Sequence, residues 1–263
     1  VAACAAIAIA ATGAGAAASG LQAAAPRWID YFNTRVGSTC VASGSGHVGA
    51  IRITSTGSQR TLSVDRTAAG TVVRYSLTTN VTETPATATV PMLTIRSLAY
   101  TFRVDGTVAT DPGDYSFGPF RYTFSQAEVY PTIAELRAGV RRSGVLELTV
   151  AGTTAATRAG LAQYLLPGHA TADVALRYTV APAPPRSTIV TPAGSFHDLV
   201  GVVFAEHGVS GGDLSSAGRL VFSTVLDKLA AGLATTSYFA RGVGPVWSSA
   251  PAFGPVLLER CSG

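Results

Sequence analysis

One short segment of the chain has the residue types of a serine nucleophile. Residues 208–212, Gly-Val-Ser-Gly-Gly, fit the Gly-x-Ser-x-Gly pattern, and the apolar residues 199–204 precede them as a strand precedes a nucleophile elbow. In an α/β-hydrolase the catalytic histidine follows the serine along the chain, whereas the last histidine here is His207. The order of residues therefore excludes an α/β-hydrolase.

The sequence still allows a second class of serine hydrolase, in which the catalytic residues follow the order His, Asp, Ser along the chain. Residues 208–214, Gly-Val-Ser-Gly-Gly-Asp-Leu, resemble the nucleophile loop of chymotrypsin-like proteases, usually Gly-Asp-Ser-Gly-Gly-Pro-Leu. His47, then Asp65 or Asp105, then Ser210 follow the His, Asp, Ser order of those enzymes. The segment departs from their pattern, since Val209 replaces the usual Asp and His47 lacks the Ala-Ala-His-Cys setting. We therefore expect a Gly/Ser loop between a strand and a helix, with a hydrolase using Ser210 as an alternative.

Nucleotide and metal sites are not predicted. Residues 44–49, Gly-Ser-Gly-His-Val-Gly, match Gly-x-Gly-x-x-Gly, but residues 50–54 continue as a strand rather than as the helix whose N-terminus would cradle a phosphate. A glycine-rich hairpin loop is expected there instead. The histidines lie far apart, and a carboxylate adjacent to an imidazole on a strand points to the opposite face. These histidines are His47, His169, His197 and His207.

The number and positions of the cysteines predict an oxidising compartment. If Cys4 is removed with the N-terminal segment, Cys40 and Cys261 remain, one near each end of the body of the chain. An even count of this kind suits an oxidising environment and predicts a disulfide between the first and last strands. The alternative is two unrelated buried thiols.

Residues 1–25, called the leader below, carry no charged side chain and consist mostly of alanine. An apolar centre at 4–11 that fades into small residues predicts an export signal. A cut after residues 16–18, Ala-Ala-Ala, would release a domain that starts near Ser19. Residues 1–4, Val-Ala-Ala-Cys, resemble a bacterial lipobox, which would make Cys4 a lipidated N-terminus; a retained apolar segment is a third possibility. We expect a periplasmic, envelope or extracellular location, with membrane contact only through a lipidated or uncleaved N-terminus.

The composition limits the functional classes and the type of domain that remain possible. The chain has 263 residues and a net charge of +4, from 19 basic and 15 acidic side chains. The arginines are scattered and form no basic stripe interleaved with aromatic residues, which gives no support for nucleic-acid binding. With 47% hydrophobic and 13% charged residues, residues 26–263 can form one well-cored β-rich domain.

Alternation of apolar and polar residues is the strongest structural signal. Each alternating segment indicates a strand with one face in a core and one in water, as in antiparallel sheets. These segments are 73–78, 101–104, 120–125, 146–150 and 173–180. Turns are predicted at Asp105-Gly106 and at residues 111–114, Asp-Pro-Gly-Asp. Residues 181–185, Ala-Pro-Ala-Pro-Pro, cannot lie in a central strand and predict a connector.

Helical signals are few. Thr132 and Glu135 form a capping box in front of a short helix with Ile133, Leu136 and Val140 on one face. Residues 153–166 and 216–234 are further helical segments, although 220–225 could also start as a strand. The sequence therefore predicts a mainly β, α+β fold: one curved antiparallel sheet or half-barrel with two or three packed helices.

Three segments resemble a group of bacterial secreted proteins and lipoproteins. Residues 28–39, Trp-Ile-Asp-Tyr-Phe-Asn-Thr-Arg-Val-Gly-Ser-Thr, are similar to their opening, which has an aromatic pair and a Val-Gly motif. Residues 191–196 and 238–246 are similar to their Pro-Ala-Gly-Thr-Phe and Tyr-Tyr-Ala-x-Gly-Val-Gly-x-Val elements. The resemblance implies one antiparallel-sheet envelope domain, distantly similar to lipoprotein-carrier folds. It carries over no functional residues, and Cys40 and Pro245 depart from its pattern.

The expected function is a non-catalytic structural or binding role in an exported domain that contacts envelope proteins, without a cofactor. A curved sheet with aromatic residues on its inner face could instead carry an apolar ligand or lipid, which requires a cavity. The hydrolase with Ser210, His47 and Asp65 is the remaining alternative.

Overall fold

The chain is mainly β. The computed structural model describes residues 25–48, 51–84, 89–111, 114–117, 119–221, 234–250 and 254–262, so the leader with Cys4 lies outside the described residues. The strands are β1 (Thr39–Val48), β2 (Ile51–Thr67), β3 (Gly70–Thr84), β4 (Thr89–Arg103), β5 (Val108–Asp111), β6 (Asp114–Phe117), β7 (Phe120–Phe124), β8 (Glu128–Tyr130), β9 (Arg142–Gly152), β10 (Ala172–Pro182), β11 (Ile189–Thr191), β12 (Gly194–Phe196), β13 (Leu199–Ser210), β14 (Thr235–Ala240), β15 (Gly244–Ala250) and β16 (Gly254–Ser262). Every segment predicted from alternation lies wholly or largely in one of them.

Fourteen of these strands form one antiparallel sheet, in the order β3-β2-β1-β16-β15-β14-β13-β10-β9-β7-β6-β4-β5-β8. β4 also pairs with β3 along its other edge, so the sheet curls back on itself. It does not close fully, because β5 and β8 branch off beside β6 and β7 and leave β8 as an edge strand. The prediction of one curved antiparallel sheet is confirmed. β11 and β12 form a separate hairpin.

The helices are short. A 3₁₀ helix spans Trp28–Tyr31, α1 spans Ile133–Arg137, α2 spans Ala155–Ala162, and residues 216–221 are also helical. The predicted capping box starts α1: the Thr132 hydroxyl accepts from the Glu135 amide, and the Glu135 carboxylate accepts from the Thr132 amide. Val140 does not continue the apolar face of α1, because Gly139 ends the helix at a φ of +83° and Val140 is exposed.

Side chains fill the inner face of the sheet. Inward residues of β3, β4, β7, β9, β10 and β13 belong to one buried cluster together with residues of the 3₁₀ helix, α1 and α2. The ring of Phe32 is central in it, with centroids 4.8 Å from Tyr100, 5.0 Å from Phe102 and 5.5 Å from Phe239. A smaller cluster between β1, β14, β15 and β16 packs against the β11–β12 hairpin.

Two predicted loops lie partly in strands. Residues 181–182 of the connector predicted over 181–185 belong to β10. Residues 44–48 belong to β1, so the predicted glycine-rich loop over 44–49 is wrong for them. Glycine is needed here for close packing: a Cβ on Gly44 would lie 2.6 Å from the Pro255 carbonyl oxygen of β16. β10 extends through Pro182, which still pairs with Val202; its pairing with β9 has already ended at Val180, so no ladder donor is needed on that side.

No helix within the described ranges combines the length and the apolar character needed to cross a bilayer.

Candidate functional site

The Gly-x-Ser-x-Gly segment is the end of a strand. β13 runs through Ser210, which pairs with Ala175 of β10 after a bulge at Leu176/Arg177. The expected Gly/Ser loop between a strand and a helix therefore starts only at Gly211, and Ser210 belongs to the strand rather than to a strand-to-helix elbow.

The other two residues of the proposed triad lie elsewhere. His47 of β1 pairs with Arg52 of β2, and the stretch of β2 from Arg52 to Asp65 extends roughly 40 Å at about 3.3 Å per residue. The Asp65 carboxylate accepts hydrogen bonds from Arg74 and Ser63. Three strands, β14 to β16, separate β13 from β1 in the sheet. The structure therefore does not bring Ser210, His47 and Asp65 together.

Asp105 is also engaged locally. Its carboxylate accepts from the hydroxyl and the amide of Thr107 in the turn between β4 and β5. These hydrogen bonds lower the pKa of Asp105, as expected for a structural turn residue.

The two cysteines of the body face each other but are not bonded. Cys40 of β1 and Cys261 of β16 are register partners, so the first and last strands of the sheet are adjacent as expected. Both residues are free thiols, and the predicted disulfide is corrected. A hydrogen bond with Cys40, followed by burial, raises the pKa of the Cys261 thiol. The join between the two strands is therefore made by backbone pairing and packing.

The sheet is interrupted next to β8. The pairing of β9 with β7 covers Leu148 to Gly152, while β8 lies beside the first half of β9 and pairs with β5. The phenol of Tyr178 fills this interruption: its oxygen accepts from the Val129 amide at 2.9 Å. Its ring lies over Gly144, where an added Cβ would be 2.5 Å from the ring. We call β8, residues 142–147 of β9 and the Tyr178 side chain the seam.

Two carboxyl groups are buried at the seam. Glu128, the first residue of β8, is 8% exposed, and Glu206, the register partner of Tyr178, is 5% exposed. Burial, followed by the charge of Glu206, raises the pKa of Glu128 to about 8, although a hydrogen bond with Tyr130 acts in the opposite direction. At neutral pH the Glu128 carboxyl therefore carries its proton.

Aromatic rings surround this acidic pair. Phe204 stacks on Tyr130 at 6.4 Å and on Tyr178 at 5.9 Å, with 19° between the planes in each case. Burial, followed by the charge of Glu128, raises the pKa values of Tyr100 and Tyr130, so both phenols stay protonated. The arrangement can hold and release a proton in an apolar setting, which makes the seam the candidate functional site.

Sequence reasoning missed this pair for different reasons. Glu206 occupies an inward position of β13, two residues beyond Phe204, and a carboxylate in that alternation was a signal that could have revealed it. Glu128 lies in a strand of three residues, which is too short to show any alternation. Their proximity depends on strands far apart in the sequence.

A second charged cluster joins residues of the segments 28–39 and 238–246. The Asp198 carboxylate accepts from the Tyr31 hydroxyl at 3.1 Å and lies 3.5 Å from Arg137 and 3.3 Å from Arg241. Asp198 has a φ of +51°, a left-handed conformation that is strained for a residue with a Cβ. The Gly242 amide donates to the Asp30 carbonyl beside it. These contacts connect the start of the described chain with β13 and the β14–β15 turn.

A polar groove of about 620 Å³ lies on the outer face of β9 and β10. Its lining includes Glu147, Thr149 and Asp173, and Thr149 donates to Asp173 at 2.6 Å. Gly211 and Gly212 border the groove, so the glycine segment that ends β13 forms one of its walls. In the described part of the chain, no three or more His, Cys, Asp and Glu side chains cluster as metal ligands.

Comparisons with known proteins add little to this geometry. No protein-family model matches the chain, and no curated protein matches it in sequence. A proposed exported protein of Bacteroides fragilis with a YmcC-like fold aligns with a TM-score of 0.46 and 11% identity, over 88% of this chain and 98% of that one. A proposed lipoprotein of Parabacteroides distasonis gives a TM-score of 0.48 and 12% identity over the same shares. At these values the likeness carries no argument about function.

Proposed function

We propose that this protein is an exported domain with a non-catalytic structural or binding role. The observation that carries the proposal is the filled inner face of the sheet, where Phe32 packs against rings from β4 and β14. A sheet whose interior is occupied by its own side chains binds partners through its outer surface. The uncharged, alanine-rich leader supports export.

The outer groove beside Gly211 and Gly212 is the surface we propose for partner binding. It combines two exposed carboxylates, Glu147 and Asp173, with hydroxyl groups from Ser125 and Thr149. Polar lining of this kind suits hydrogen bonding to another envelope protein rather than burial of an apolar ligand.

Export is tested by expressing the complete natural open reading frame in a Gram-negative host. We expect the protein in the envelope fraction and a mature mass that starts near Ser19, because small residues at 16–18 fit a signal peptidase site. The Cys4→Ser variant is the control and should give the same mature N-terminus. A lipid adduct that disappears in this variant would show anchoring at Cys4 instead, and cytoplasmic retention would contradict export.

The non-catalytic role is tested with a fluorophosphonate probe, which labels activated serines. We expect no labelling of the folded protein, since Ser210 lies at a strand end far from His47 and Asp65. Ser210→Ala is the matched control, with the similarly small change Ser195→Ala as a second one. Labelling that is lost only in Ser210→Ala would overturn the proposal.

A carrier of an apolar ligand is the second candidate function, and the seam is the observation that favours it. Behind the seam, Tyr130, Tyr178 and Phe204 belong to or pack against the main buried cluster. Displacement of β8, which breaks its three-residue pairing with β5, would therefore connect this cluster to solvent.

A further inference from the structure

The strand β8 is weakly attached to the sheet on one side. It has three residues, and its ladder consists of pairs with Val108, Ala109 and Thr110 of β5. On the side of β9, the Val129 amide is bound by the Tyr178 phenol rather than by a strand. The Thr110 hydroxyl, on the residue paired with Glu128, is buried without a hydrogen-bond partner among the described residues.

We propose that the seam is a proton-controlled opening, in which β8 is closed while Glu128 is protonated and moves away when Glu128 loses its proton beside Glu206. The closed state keeps two carboxyl groups in one apolar site, which is tolerated when they share a single negative charge. Ionisation of both would leave two like charges without solvent. Displacement of β8 carries Glu128 into water and relieves this cost.

The groups that face Glu128 come from four strands. They are Glu206 on β13, Tyr130 on β8 itself, Tyr178 on β10 and Tyr100 on β4. The phenols of Tyr100 and Tyr130 are neutral in the range concerned, because burial raises the pKa of each. Glu128 and Glu206 therefore control the response.

Geometry indicates which of the two acidic strands moves. β13 is paired along one edge with β10 and along the other with β14, so displacing Glu206 would break two ladders. β8 is held in the sheet by one short ladder and by the hydrogen bond from Val129, and its last residue, Tyr130, packs on Phe204 and Trp28. Its C-terminal end is fixed, because the Pro131 carbonyl accepts from the Trp28 indole at 2.6 Å. The opening is therefore a displacement of β8 about an anchor at Pro131.

The sign of the pH effect follows from linkage. In the closed state Glu128 titrates at about 8, and in the open state it returns to the ordinary value of 4.5. The closed state binds the proton more tightly, so closure is strongest below pH 4.5 and weakens as the pH rises to about 8, where the effect levels off. Between these limits the opening equilibrium increases about tenfold per pH unit.

Amide hydrogen exchange of the full protein tests the proposal. Protection factors for residues 128–130, corrected for the intrinsic exchange rate, should fall about tenfold per unit from pH 5 to pH 8 and then level off. In Glu128→Gln, a neutral isostere, the same amides should stay protected across this range. Glu259→Gln, which changes a carboxylate of β16 outside the seam, is the matched control and should behave as wild type.

Three outcomes would overturn the proposal: equal pH dependence in wild type and Glu128→Gln, protection that does not change with pH in Glu259→Gln, or a parallel loss of protection in residues 176–180 of β10. The last result would indicate unfolding of the sheet rather than opening of the seam. If Glu128→Gln does not fold, Glu206→Gln replaces it and should shift the plateau to lower pH, because it removes a charge that raises the pKa of Glu128.

A role of this opening in ligand entry rests on the second candidate function, the carrier. It is tested with the neutral probe N-phenylnaphthylamine, whose fluorescence rises in apolar surroundings. Uptake that increases from pH 5 to pH 8 in wild type but not in Glu128→Gln supports both ideas. Exchange that follows the expected profile without any uptake supports the opening and contradicts the carrier.

Discussion

At the scale of single residues, the seam depends on side-chain size as much as on charge. Because Gly144 has no side chain, the ring of Tyr178 packs directly against its backbone. The same phenol oxygen accepts the Val129 amide, so one tyrosine replaces part of a strand ladder. The interruption in the sheet is therefore closed by a side chain rather than by backbone pairing.

The Gly144→Ala substitution tests this packing. An added Cβ would lie 2.5 Å from the Tyr178 ring, so we expect a loss of about 1–3 kcal/mol in the free energy of unfolding. Gly160→Ala in α2 is the matched control: nothing lies within 4 Å of its Cβ, and alanine should stabilise the helix by up to about 1 kcal/mol. Urea denaturation at constant pH measures both. Equal effects of the two substitutions would contradict the close contact at Gly144.

At the scale of elements, local patterns predicted individual strands well and their neighbours poorly. The alternation over 173–180 lies wholly inside β10, and the capping box at Thr132 starts α1 as expected. The helix is shorter than its apolar spacing suggested because Gly139 adopts a positive φ. Gly44 was assigned to a loop because its local context is glycine-rich, whereas its conformation is set by β16, more than 200 residues away.

The candidate site also depends on long-range strand pairing that local patterns do not predict. The inward position of Glu206 could be inferred once β13 was assigned, but its closeness to Glu128 requires the branch of β5 and β8 from β4. The predicted Ser210 site failed for a related reason: a local motif does not determine which strand its partners occupy. Long-range pairing is the information that a single sequence does not contain.

At the scale of the whole molecule, the start of the described chain is part of the core. The Trp28 ring contacts Phe239 of β14 at 5.4 Å and Tyr130 of β8 at 6.2 Å, and its indole N–H donates to the Pro131 carbonyl. Through Tyr31, the same segment reaches the Asp198 cluster. Residues 28–32 therefore connect β8, β13 and β14 across the interior.

The Trp28→Ala substitution measures how far stability depends on this segment. We expect a loss of about 3–5 kcal/mol, because Trp28 is 2% exposed and its removal leaves a cavity in the main cluster. Trp28→Phe should cost less, since it keeps an aromatic ring but loses the hydrogen bond to Pro131. Thermal unfolding followed by circular dichroism compares both with wild type. A Trp28→Ala loss below about 1 kcal/mol would show that the segment is peripheral.

The pairing of Thr39 with Ser262 also determines when this protein can fold. β1 obtains its second neighbour only after the last nine residues of the described chain, β16, have been synthesised. Until then one edge of β1 carries unpaired amides and carbonyls, which are a template for association with other chains. Such distant contacts slow folding, because the loop between the partners must close first. The growing polypeptide therefore exposes this edge to association from the synthesis of β1 until that of β16.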